Sequence, residues 1–243
     1  MKPVYASGWT CPRSIILMLG PLMALPVVSA DSFAIDKITR IEEDWQLRIQ
    51  TPNANEGLPA ITHVISPTSS LESEHTIVLF NYVDFPKFHK GGMQIQSWNG
   101  DDLIGARDHP KTGVLSVVNE NLKYTIAMEI VSGNLVVEIL NGRSTTWGNF
   151  GGEGYLKITR PTTLTSLNGY SPLWSVANAD VRGGHNLSIG ALVKTTFYSG
   201  KKSVGINKTT KNMHLFKPRI QDVSLEDYLR NPDAYSFKVK GQK

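Results

Sequence analysis

Apolar and polar residues alternate along this chain with a period of two, as in Trp45, Leu47 and Ile49 and again in Met93, Ile95 and Ser97. That period places every second side chain on one face of a strand, so one face is buried and the other meets solvent. Further strands are predicted at ITHVIS (61–66), TIVLFNYV (76–83), GVLSVV (113–118), LKYTIAMEI (122–130), NLVVEIL (134–140), GYLKITR (154–160) and LSIGALVKTTFY (187–198). No long helix-period segment separates them, which argues against strand–helix–strand units. The expected fold class is all-β, with two packed antiparallel sheets forming a β-sandwich.

The turns agree with that expectation. Ser132-Gly133-Asn134 joins two strands as a short hairpin, and Asn99-Gly100 and Asn141-Gly142 are pairs that tolerate positive φ. After the hairpin the chain leaves through NGRSTTWG toward Gly151-Gly152. These glycines read as a bend or bulge where Trp147 and Phe150 cross the sheet edge. The functional alternative is an exposed Trp147 stacking on a sugar ring. A phosphate-binding loop is excluded, because GNFGGEGY lacks the required lysine and leads into a strand.

Residues 1–30 read as a signal peptide. Lys2 and Arg13 precede the uncharged run SIILMLGPLMALPVV, and Val28-Ser29-Ala30 is a small-residue cleavage end. The run is too short for a membrane span, and nothing downstream resembles one. The product is expected to be exported, periplasmic or extracellular, without a disulfide, since Cys11 is the one cysteine. Losing the leader lowers the formal charge from +4 to +2, which argues against a nucleic-acid partner. Residues 31–200 are expected to form the sandwich. Residues 201–243 are expected to be a basic linker or tail, with six Lys or Arg and no acid in KKSVGINKTTKNMHLFKPR and a short helix near LEDYLR.

The stretch GGMQIQSWNGDD (91–102) holds the candidate binding residues. On one strand Gln94, Gln96 and Trp98 share a face, opposite Met93, Ile95 and Ser97. Amides hydrogen-bond hydroxyl pairs and an indole offers an apolar plane, so the stripe suits a shallow glycan groove as well as an ordinary solvated face. Catalytic residues are not expected. Glu42-Glu43-Asp44 puts neighbouring carboxylates on opposite faces, Glu129 and Glu138 lie on paired strands, and no G-x-S-x-G or H-E-x-x-H is present. No metal site or cofactor is expected. Calcium at Asn99, Asp101, Asp102 and Asp108 is the one candidate, and NGDD lacks the spacing of a known calcium loop.

Together, E-E-D-W (42–45), GG-x-Q-x-Q-x-W (91–98), EILNGRSTTWGNFGG (138–152) and LNGYSP…SVAN (167–178) resemble a group of uncharacterised exported bacterial proteins over about Ile41 to Ser199. The hairpin followed by NG-x-S-T-T-W-G is also similar in pattern to concanavalin-like and laminin-G-like sandwiches, many of which bind glycans or proteins. Gln94-Ile95-Gln96 is similar to the Q-[IV]-H strand of jelly-roll alginate lyases, and Arg40-Ile41-Glu42 to their arginine-and-glutamate strand. Gln96 stands where that family has a histidine, and a glutamine is no general base. Three readings follow: an exported non-catalytic, carbohydrate-binding concanavalin-like jelly roll using Gln94, Gln96, Trp98 and Trp147; a structural or protein-interaction component of the cell envelope; and a polysaccharide lyase of atypical site.

Overall fold

The fold is that of a computed structural model, which describes residues 36–55, 57–82, 91–109, 113–182, 187–207 and 211–212. Thirteen strands and one short helix are formed by these residues. In chain order they are β1 (Arg40–Ile49), β2 (Ala60–Ile65), β3 (Glu74–Tyr82), β4 (Gly92–Asn99), β5 (Asp102–Asp108), β6 (Glu120–Val131) and β7 (Asn134–Ser144). Then come β8 (Gly148–Phe150), β9 (Lys157–Pro161), α1 (Pro172–Ala177), β10 (Asp180–Arg182), β11 (Leu187–Ser199), β12 (Lys202–Asn207) and β13 (Lys211–Asn212). The predicted leader and the LEDYLR helix lie outside the described residues.

Two antiparallel sheets result. One runs β12-β11-β1-β6-β7-β8, with β13 also on β11 and β9 also on β7; the other runs β10-β2-β3-β4-β5. Alternation decides which side chains lie between them. Ile41, Trp45, Leu47 and Ile49 of β1 turn inward with Leu122, Ile126 and Met128 of β6, and meet Ile61, Val78, Phe80, Met93 and Ile95 from the other sheet. Burial of such side chains is worth about 1.5–3 kcal/mol each, so the core supplies the main driving force. The chain is an all-β sandwich, and no helix among the described residues is long and apolar enough to cross a membrane.

The hairpin expected at Ser132-Gly133 is present, with both residues at positive φ (49° and 74°) and Val131 paired with Asn134. Asn141-Gly142, by contrast, is not a turn. Asn141 has φ 55° inside β7, where the register with β6 shifts between Lys123 and Thr125, so the pair is a bulge. Gly142 is required there because a Cβ would stand 2.4 Å from the ring of Phe150.

Three segments differ from expectation. GVLSVV forms no strand: only Leu115 enters the core, its N–H bonded to Asn81 Oδ1 at 3.0 Å, while Val117 and Val118 are exposed. A backbone satisfied by a side chain has no need of a ladder. The sheet also runs past residue 200, since β12 pairs with β11. Lysines and few apolar residues suit an edge strand, which is why its composition reads as a tail. Finally, α1 interrupts LNGYSP…SVAN, with Ser171 as N-cap and a proline in the first turn.

Candidate functional site

The outward face of the five-stranded sheet carries the amide stripe. In register with β4, His75 of β3 lies opposite Trp98, Ile77 opposite Gln96 and Leu79 opposite Gln94. On the other side, Asp108, Ala106 and Leu103 of β5 lie opposite Gln94, Gln96 and Trp98. The polar groups form one directed chain. Trp98 Nε1–H donates to Gln96 Oε1 at 3.0 Å, Gln96 Nε2 donates to Gln94 Oε1, and Gln94 Nε2 donates to Asp108 Oδ1 at 2.5 Å. Each amide passes its dipole on toward the Asp108 carboxylate, and such chains strengthen one another.

Exposure divides the stripe into support and contact. Gln94 and Gln96 are only 8 % and 3 % exposed, whereas Trp98 is half-buried. The glutamines therefore hold the indole, which keeps part of its surface open to solvent. The rest of the rim follows from the β4–β5 turn, where Gly100 takes φ 55° and leaves Asn99, Asp101, Asp102 and Leu103 exposed around Trp98. His75 backs the indole at a 6.4 Å ring separation and 11° between planes, its Nδ1 2.9 Å from the Ser73 carbonyl oxygen. An apolar plane bordered by carboxylate and amide oxygens is the chemistry of a sugar subsite.

Trp147 lies elsewhere. It is 7 % exposed, packs on Phe80 and Phe150, and donates its Nε1–H to the Gly113 carbonyl oxygen at 2.7 Å. Its ring faces are core surface, so an exposed Trp147 stacking on sugar is corrected: the tryptophan closes the sandwich. The preceding Ser-Thr-Thr has its own partner. Glu120, fully buried, accepts from Ser144 Oγ (2.8 Å), Thr145 N–H (2.6 Å), Thr146 N–H (3.1 Å) and Thr146 Oγ1 (2.5 Å), so the motif is a turn wrapped around a carboxylate.

The remaining acidic residues are structurally committed. Glu129 pairs with Arg40 at 2.8 Å and Glu138 with Lys157 at 3.0 Å, and the two are not opposite each other in the hairpin register. Glu42 and Asp44 stay on the outward face of β1, with Arg40 and Lys194 respectively. Glu43 points into the core, where it accepts from Tyr170 Oη at 2.5 Å and Trp45 Nε1 at 2.8 Å. Burial pushes its carboxyl above the usual range, against these hydrogen bonds. Beside Trp45, His63 is bonded to Tyr124 Oη, and burial lowers its pKa to about 3. Both groups are sealed from solvent: His63 ties β2 to Tyr124 of β6 across the two sheets, and Glu43 ties β1 to Tyr170 ahead of α1.

Among the described residues no group of three or more His, Cys, Asp or Glu is arranged to hold a metal ion. Sequence reasoning did not single out His75 or Arg160. Arg160 links the two sheets, donating to Trp98 O at 2.7 Å and Ser97 Oγ at 3.0 Å and pairing with Glu74 at 3.1 Å. No protein-family model and no curated protein matches the chain.

Proposed function

We propose that the protein is an exported, non-catalytic, carbohydrate-binding module with a concanavalin-like jelly-roll arrangement, and that its ligand meets Trp98 at the β4–β5 end of the five-stranded sheet. The observation that carries this reading is the chain of hydrogen bonds from Trp98 through Gln96 and Gln94 to Asp108, which fixes a half-buried aromatic plane among exposed polar groups. A fixed plane loses little conformational entropy when a sugar stacks on it. Intrinsic fluorescence tests it: titration with a panel of oligosaccharides quenches the wild type, and Trp98→Phe removes the response. An unchanged response in Trp98→Phe contradicts the placement.

A second reading, docking of a cell-envelope protein along β5, is favoured by the exposure of Leu103 (49 %) and Ile104 (56 %) on an edge strand. Cross-linking that recovers an envelope protein through β5, with no saccharide response, favours it over the first. The lyase reading has Gln96 in the position of the family's histidine, and a glutamine is no general base.

A further inference from the structure

The edge strand β5 has a second, inward face, and there the molecule is open. Register with β4 puts Arg107 opposite Ile95 and Gly105 opposite Ser97, so these two share the side of the core, away from the Gln94–Asp108 stripe. Ile95 is buried in the core, whereas Arg107 one strand further out is exposed, because the facing sheet ends at β9. Between β5 and β9 lies a cleft of about 890 Å³. Ile104, Gly105, Arg107 and the carboxylate Asp108 line one wall, and Tyr155, Lys157 and Arg160 the other, so the lining carries three cations and one anion.

Charge pairing separates the three cations. Lys157 is held by Glu138 at 3.0 Å, and Arg160 is held by Glu74, Ser97 and the Trp98 carbonyl oxygen. Arg107 makes no ion pair with any described residue. Across the cleft, Tyr155 exposes 48 % of its surface and is backed edge-on by the ring of His109 at 5.5 Å. A guanidinium with open N–H groups matches a carboxylate in bidentate fashion, and an adjacent aromatic ring accepts the C–H face of the sugar that bears it. The cleft has the volume of a small-ligand site.

We infer that this cleft binds an acidic saccharide, Arg107 meeting the carboxylate and Tyr155 the sugar ring. The inference rests on the carbohydrate reading, but on other ligand contacts, Arg107 and Tyr155 in place of Trp98, with Asp108 bordering both places. It extends the ligand class from neutral hydroxyl recognition at Trp98 to a charged sugar at Arg107.

The test is calorimetric titration of the full chain with a galacturonate tetramer and with a glucose tetramer, using wild type, Arg107→Ala and Gly105→Phe. A Cβ at Gly105 meets nothing within 4 Å, so the phenylalanine fills the cleft while the strand that carries it is favoured. Galacturonate affinity is expected to fall at least about tenfold in Arg107→Ala, with wild-type affinity weakening as salt rises, and to be lost in Gly105→Phe. Galacturonate binding that both variants leave unchanged overturns the inference and leaves the Trp98 site standing. So does glucose-tetramer binding without galacturonate binding. Absence of binding to either tetramer, and to every other saccharide tried, overturns both.

Discussion

Trp98 and Trp147 each donate one indole hydrogen bond, yet the acceptors differ in kind. Trp147 is tied to a backbone carbonyl at Gly113 and packed on two phenylalanines, so the fold itself depends on where it sits. Trp98 is tied to a side-chain amide that is in turn held by another, on a face where the ring stays half open. A tryptophan beside glycines is therefore not by that alone a ligand site. Trp98 differs in having a polar support that positions the ring without covering it.

The largest effect is expected at Trp147. Trp147→Ala is expected to cost about 4 kcal/mol in denaturant unfolding, through the cavity left against Phe80 and Phe150. A loss near zero would place Trp147 with the surface residues. The turn before it follows, since Glu120→Ala leaves the donors of Ser144, Thr145 and Thr146 unpaired, with an expected cost of about 3 kcal/mol.

The core also predicts a pH dependence. His63 has a folded pKa of about 3, below its unfolded 6.5, so its contribution is present above pH 6.5 and is lost as pH falls toward 3. At pH 5 the loss amounts to about 2 kcal/mol by the proton linkage of one group. Glu43, raised by burial, has the opposite sign: it favours the fold below the ordinary carboxylate range and loses that contribution as pH rises through its raised pKa. Unfolding free energies at pH 5 and 7 should therefore converge in His63→Gln; a wild-type slope preserved in that variant contradicts the assignment.

Gln96→Leu acts on the support of Trp98 instead. It removes the acceptor for Trp98 and the donor to Gln94, at an expected cost of about 1.5 kcal/mol, and its Trp98 emission should shift toward that of a more solvated indole. Unaltered emission would mean that packing on His75, not the amide chain, orients the ring.

Much of the amide stripe is legible in the amino-acid sequence. Period-two alternation places Gln94, Gln96 and Trp98 on one face because strand geometry permits no other arrangement. It carries no sign that the glutamines are buried and the tryptophan open, since that depends on Ile77, Leu79 and Asp108 from neighbouring strands. The Glu120 partnership with Ser144 to Thr146 spans more than twenty residues and has no local signal. The β5–β9 cleft is illegible for another reason. DLIGARD is exposed on both faces, so it lacks the alternation that reveals a strand, and the opening beside it exists only because the facing sheet stops. The helix α1 does carry a readable signature in Ser171-Pro172, an N-cap followed by a first-turn proline.

The most direct measurement is a glycan-array screen of the purified protein beside Trp98→Ala, with folding of both checked by circular dichroism. Saccharides that bind the wild type are expected to be lost in Trp98→Ala. A folded wild type that binds no glycan, or binding that survives Trp98→Ala undiminished, contradicts the carbohydrate reading.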